Sequence, residues 1–233
     1  MVFFRDAVSA RLKSLNVGQP APLAYRGRQV PSGFRKKPVS RALWLGDTGL
    51  EGDAQADLKN HGGPEKAVCM YPLEHYSYWE ERLSRALEPA AFGENFSTEG
   101  LLEAGVCIGD VYRVGDARVQ VSQPRQPCFK LAARHGVKEL ALWVQETGRT
   151  GFYLRCLEPG EVRAGERIEL VERPKRGVSV VEANRVMHRD RHDVEGIERL
   201  LSLPALSVSW RRTFEKRLSG VVESTAPRLE GPG

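Results

Sequence analysis

A chain of 233 residues and 26.0 kDa suits one large domain, or a main domain with a small second one. Its 41% hydrophobic and 28% charged residues are the composition of a soluble globular protein, and no segment approaches the roughly 20 apolar residues that span a bilayer. A net charge of +5 favours anionic partners without choosing among them, and no basic tail marks a nucleic acid polymer as the partner.

The opening stretch, "MVFFRDAVSARLKSLNVG", is interrupted at Arg5 and Asp6 and is too short in apolar residues for a signal peptide. A cytoplasmic protein is therefore expected. Its cysteines, at 69, 107, 128 and 156, contain no Cys-X-X-Cys pair, and disulfides would be unusual in that compartment.

Residues 1–172 read as one unit of short β runs broken by Gly and Pro. "VSARLKSLNVG" alternates at its start and then meets the turn-rich "GQPAPLAYRGRQVPSG". "SGFRKKPV" (32–39) presents Arg35, Lys36 and Lys37 beside a proline that opens a strand; such a run is more often a solvated face than a phosphate site. "GLEGDAQADLKNHGGPEKAV" (49–68) sets His61 before the tight Gly62-Gly63-Pro64 turn and Lys66 after it. Backbone N–H groups of that turn can form an anion nest, or the turn can serve the fold alone. The Walker spacing is absent.

"KAVCMYP" reads as a buried strand with Cys69 as a small packed hydrophobe, and "PLEHYSYWEERLSRAL" as a helix. In "FGENFSTEGL" (92–101), Asn95 either offers its amide to a ligand or caps its own turn, the commoner role. "GDVYRVGDARVQVSQPR" is a hairpin about Gly115-Asp116. It runs into "VSQPRQPCFKL" (121–131), where Pro127 ends the strand and Cys128 stands between Arg125 and Lys130. Flanking cations lower a thiol's pKa and favour the reactive thiolate, yet a half-buried loop cysteine is the commoner role. "GVKELALWVQET" is a second helix, and "ERIELVE" closes the region through Ile168 and Leu170. Cys107 and Cys156 read as structural, and a zinc site from four such scattered cysteines is not expected. Many short strands with few helices predict a closed or nearly closed β-barrel.

Beyond Pro174 the texture turns helical. Ser179 and Glu182 form a capping-box pattern opening a helix to about Arg189. "DVEGIERLLSL" and "SVSWRRTFEKRL" add two more, with Ile197, Leu200 and Leu201, then Trp210, Phe214 and Leu218, at helical spacing. These predict a three-helix unit over 178–219, docked on the barrel because its own core is thin, followed by a disordered tail over 220–233.

Taken in order, "SGFRKKPV", "GLEGDAQAD", "HGGPEKAVCMYP", "FGENFSTEGL", "GDVYRVGDARVQVSQPRQPCFKL" and "TGRTGFYLRCLEPG" resemble the MOSC domain, closest to its YiiM-like branch. The resemblance covers nearly the whole chain, since that branch also carries three C-terminal helices. It implies a mainly β protein, a MOSC-type β-barrel with a small C-terminal three-helix appendage. It also implies binding of the molybdenum cofactor, a pterin phosphate that holds molybdenum through a dithiolene. Cys128 then corresponds to the family's proposed molybdenum ligand and catalytic residue. Lys36, His61, Asn95 and Arg125 fall in matching motifs as candidates for holding that cofactor. The implied activity is reduction of small N-hydroxylated compounds such as hydroxylaminopurines, a detoxification, with electrons from a separate reductase. The alternative is a non-enzymatic carrier of sulfur or cofactor, with Cys128 as a persulfide or docking thiol.

Overall fold

The computed structural model describes residues 10–231, so Val8 and Ser9 of the first expected run and the last two residues of the tail lie outside it. The strands, in chain order, are β1 (Arg11–Val17), β2 (Ala21–Tyr25), β3 (Arg28–Ser32), β4 (Lys37–Val39), β5 (Leu43–Gly46), β6 (Gly49–Leu50) and β7 (Val68–Pro72). They continue as β8 (Phe96–Glu99), β9 (Val111–Val114), β10 (Ala117–Pro124), β11 (Phe152–Glu158), β12 (Gly160–Val162) and β13 (Ile168–Glu172). Eight of them form one sheet in the order β13-β9-β10-β11-β7-β8-β1-β4. All its pairs are antiparallel except β7 with β8. β12-β5-β6 and β2-β3 make two smaller sheets.

Local sequence explains the main ladder. β1 buries Leu12 and Leu15, and a register shift between Leu12 and Ser14 against β8 breaks strict alternation. The expected hairpin joins β9 to β10, pairing Val114 with Ala117. Gly115 turns there at φ +56, and a Cβ would lie 2.4 Å from the Glu161 carbonyl oxygen, so no other residue fits.

The expected closed barrel is not formed. β1 divides its outer edge: residues 15–17 pair with β4, while Ala10 and Leu12 exchange backbone bonds with Gly165, Glu166 and Ile168. Those bonds draw the ends of the sheet together without a ladder closing them. Nor is the protein mainly β: it is mixed α/β, with helix and strand each about 29% of the chain.

The helices are α1 (Leu58–His61), α2 (Tyr76–Leu83), α3 (Lys130–His135), α4 (Leu140–Thr147), α5 (Val180–His188), α6 (Val194–Leu201), α7 (Val208–Leu218) and α8 (Ala226–Glu230). α2 is shorter than expected, because Ser84 takes a left-handed conformation at its C-terminus. At α5 the Ser179 hydroxyl accepts from the Glu182 N–H at 3.1 Å, while the Glu182 carboxylate pairs with Arg185 instead of closing the box. Asp193 and Ser207 cap α6 and α7 in the same way. Ile197, Leu200, Trp210 and Phe214 are buried as expected, but Leu218 is exposed. Arg217 takes the inner position beside it and donates to the Val186 and Met187 carbonyls at 3.1 and 2.8 Å.

These helices share one continuous core with the sheet, in which Val180, Val186 and Trp210 join Val114, Val119 and Val121. A second, aromatic cluster of Phe34, Tyr71, Tyr76, Trp79 and Phe92 packs with Leu131, Leu140 and Val144 of α3 and α4. The tail expected to be disordered carries α8, held by hydrogen bonds to the loop before α3. Among the described residues no helix is long and apolar enough to cross a membrane.

Candidate functional site

A pocket opens where the β3–β4 loop, α1, the turn before β8 and the end of β10 converge. Lys36, His61, Asn95, Arg125 and Cys128, scattered over 93 positions of sequence, all line it. So do Asp57, Lys66, Cys69, Lys130 and Tyr153. The walls are fixed by two buried carboxylates that the sequence reading missed.

The first is Asp53. It accepts from the Gly18 N–H at 2.9 Å, Gln55 Nε2 at 3.1 Å and Asn95 Nδ2 at 2.9 Å, and pairs with the buried Lys36 ammonium. A buried carboxylate needs such saturation to offset its lost hydration. Lys36 is thereby the inward member of the basic run, with Arg35 and Lys37 exposed, but its charge is already answered. Asn95 is similarly engaged, its Oδ1 accepting from the Cys69 N–H at 3.1 Å. The second carboxylate is Glu94, which accepts from the Ala90 and Phe92 N–H groups, the Ser97 hydroxyl and the Tyr76 hydroxyl. It locks the turn that presents Asn95.

Arg125 and Lys130 are in the opposite condition. Arg125 is 5% exposed, and among the described residues no acid pairs with it. Its Nη1 has no hydrogen-bond partner among the described residues. Its guanidinium carbon lies 5.8 Å from the Phe34 ring centre. Burial acts to lower its pKa, yet the neighbouring Cys69, Tyr153 and Cys128 raise it above the ordinary value, so it stays charged. Lys130, 7% exposed at the start of α3, likewise has no acid partner among the described residues. Lys66 donates to the Asn60 carbonyl at 2.7 Å, and burial lowers its pKa.

Cys128 follows the end of β10 and is nearly buried, with Sγ 3.7 Å from His61 Nε2. Burial, then the Lys130 charge, pushes the His61 pKa down to about 4, leaving a neutral ring at neutral pH. Asp57, which caps α1 by accepting from the Asn60 N–H, opposes that shift. Gly62, Gly63 and Pro64 are not among the lining residues, so the glycine turn shapes α1 rather than forming a nest on the pocket wall. Cys69 touches the pocket from β7, but burial pushes its thiol up to about 11 and keeps it protonated. Cys107 and Cys156 stand apart from the pocket, all four cysteines are free, and no cluster of potential metal ligands of the zinc type occurs among the described residues.

One thiol beside two cations that no acid answers among the described residues, Arg125 and Lys130, on a mixed sheet with a helical C-terminus, defines the class of protein by its fold and pocket. Family comparison names it. Residues 57–169 match the MOSC domain and residues 178–220 the YiiM-like 3-alpha helix domain. The chain belongs to the MOSC domain family, in its YiiM-like branch.

It is 55% identical over 204 residues to the uncharacterized protein YflK of Bacillus subtilis, covering 88% of this chain and 92% of that one. Protein YiiM of Escherichia coli is 44% identical, over 86% of this chain and 91% of the other. A crystal structure of YiiM from Geobacillus stearothermophilus superposes with a TM-score of 0.78 at 41% identity, covering 90% of this chain and 99% of that one. A protein named reductase from Gibberella moniliformis is 36% identical over 69% of this chain, which spans 29% of that protein.

Proposed function

We propose that this protein binds the molybdenum cofactor and reduces small N-hydroxylated compounds, such as hydroxylaminopurines, in the cytoplasm. The observation that carries the reading is the unpartnered Nη1 of buried Arg125 in the same pocket as the Cys128 thiol. A buried guanidinium lacking a partner calls for an anion, and a thiolate is the side chain that suits a soft, sulfur-bound metal. Arg125 and Lys130, with Lys66, would hold the pterin phosphate, and Cys128 would ligate molybdenum. The residues present fit the group.

The cofactor would supply the two-electron chemistry. The substrate R–NHOH takes up two electrons and two protons, its N–O bond breaks, and R–NH2 and water leave. This chain has no cysteine cluster for an iron–sulfur centre and no dinucleotide-binding glycine motif, so a separate reductase would deliver the electrons. The protein's own part is to bind and orient. Lys36, Asp53 and Asn95 keep the pocket wall rigid, and the neutral His61 ring flanks the Cys128 sulfur. The Gibberella relative's name agrees with a reductase role.

The test is expression in a host that makes the cofactor, followed by molybdenum and pterin analysis and assay of hydroxylaminopurine reduction per bound molybdenum. Bound molybdenum and pterin with turnover are expected. A metal-free protein carrying labile sulfane sulfur would establish the carrier function instead.

A further inference from the structure

Arg228 lies on α8, in the segment whose composition reads as a disordered tail, and both peptide groups flanking Cys128 are tied to it. Its guanidinium donates to the Pro127 carbonyl, the peptide group entering Cys128. Its own carbonyl accepts from the Phe129 N–H at 2.9 Å, the peptide group leaving Cys128. One residue therefore restrains the backbone on both sides of the thiol. The guanidinium is also anchored, donating to Gln145 Oε1 of α4 at 2.6 Å.

The rest of the segment supports this grip. The Tyr25 hydroxyl donates to the Glu230 carbonyl at 2.7 Å, and the Tyr25 ring stands 5.1 Å from the Phe129 ring. Gly231 also sits against Phe129, where a Cβ would come within 2.6 Å of the ring. Upstream, Glu223 pairs with Arg191 at 3.0 Å and with Arg217, fixing where the segment leaves α7. Arg228 itself is not among the residues lining the pocket.

We propose that Arg228 is a positioning residue for Cys128: the C-terminal segment closes over the loop and sets the direction of the thiol. Residues that orient a metal ligand commonly govern metal affinity without touching the metal. The proposal rests on the reading of Cys128 as the molybdenum ligand, but its primary readouts need no cofactor.

The experiment uses the full-length metal-free protein and compares it with Arg228→Met, Arg228→Lys and Tyr25→Phe. Amide exchange at Phe129 and alkylation of Cys128 by iodoacetamide are measured together with thermal unfolding. Arg228→Met leaves the accepting carbonyl of residue 228 in place, so faster exchange at Phe129 reports release of the segment rather than loss of the acceptor. Two lost side-chain hydrogen bonds should speed exchange and alkylation about tenfold, with the unfolding temperature nearly unchanged. Arg228→Lys, which reaches one acceptor but not both, should fall between. Tyr25→Phe should give a smaller rise of about threefold, and it decides the matter if Arg228→Met does not fold. Unchanged exchange and alkylation in a folded Arg228→Met, or in Tyr25→Phe should that variant alone fold, would overturn the proposal. With cofactor, molybdenum content should fall in the same order of variants. If the unaltered protein never holds molybdenum, the functional reading fails while the exchange and alkylation data still judge the role of Arg228.

Discussion

Replacing Arg125 with methionine should stabilise the empty protein and disable it. The substitution keeps a long unbranched stem and removes the charge. In the unliganded pocket Nη1 is buried without a partner, a state that costs about 1–3 kcal/mol. Against this stands the contact with the Phe34 ring at 5.8 Å, of the kind that contributes about 0.5–2 kcal/mol. The balance is a gain of about 1 kcal/mol, or about 2–4 °C in unfolding temperature for a chain of this length. Inorganic phosphate supplies a second arm. At ten times its dissociation constant, an anion bound only by the folded state adds about 1.4 kcal/mol, and Arg125→Met should lose most of that increment. Molybdenum retained per protein should drop at least about tenfold, since a lost charge-assisted hydrogen bond is worth about 1.5–3 kcal/mol. Differential scanning calorimetry with and without phosphate, beside metal analysis, reads all three quantities. An Arg125→Met protein that is less stable when empty yet keeps its molybdenum would show that the guanidinium serves the fold, and the anion argument would collapse.

Cys128→Ser should abolish N-hydroxyl reduction and metal binding with the fold intact, whereas Cys69→Ala should cost on the order of 1 kcal/mol and leave turnover per bound molybdenum unchanged. Equal turnover in the two variants would contradict the ligand assignment. Lys36→Met strands Asp53 as a buried unpaired carboxylate, so it should lose about 3–5 kcal/mol, and Asp53→Asn in the same chain should recover part of that loss in denaturant titrations. For pH, the half-buried His188 ring has a buried Nε2 without a partner among the described residues, and burial, then Arg228, pushes its pKa down to about 3. The unfolded histidine protonates first, so the contribution of neutral His188 is complete above pH 6.5 and is lost as pH falls from there toward 3. His188→Phe should therefore flatten the stability–pH curve in that window, and parallel curves for the two proteins would argue against it.

The parts of the fold that were legible depend on neighbours in sequence. The β9–β10 hairpin was readable because two β-rich runs flank Gly115-Asp116, a turn pair in which Gly115 takes φ +56. The start of α5 was readable because the Ser179 hydroxyl reaches the N–H three residues on, and α6 and α7 were readable from the helical spacing of Ile197 and Leu200 and of Trp210 and Phe214. Closure of the sheet was not, since it depends on whether the edge of β1 meets β13 in a ladder or only through the bonds of Ala10 and Leu12. The length of α8 in a Pro- and Gly-containing tail was equally hidden. Its order comes from Tyr25, Gln145 and the Pro127–Phe129 loop, none of them near it in the chain.

The same distinction separates the cations of the candidate site. Read by type, Lys36 and Arg125 are alike: each is basic, each sits in a motif beside proline or glycine, and each faces the pocket. Asp53, 17 positions from Lys36, separates them by answering the lysine and leaving the arginine free. A buried cation with a saturated carboxylate beside it holds a wall together, and its removal is felt first as instability. A buried cation without one leaves a donor that a ligand would satisfy, as Arg125 does with its Nη1, so its removal is felt first as lost binding. Arg125→Met and Lys36→Met should thus move stability in opposite directions while both reduce metal retention. That opposition is the property by which a binding residue can be told from a scaffold residue inside one pocket.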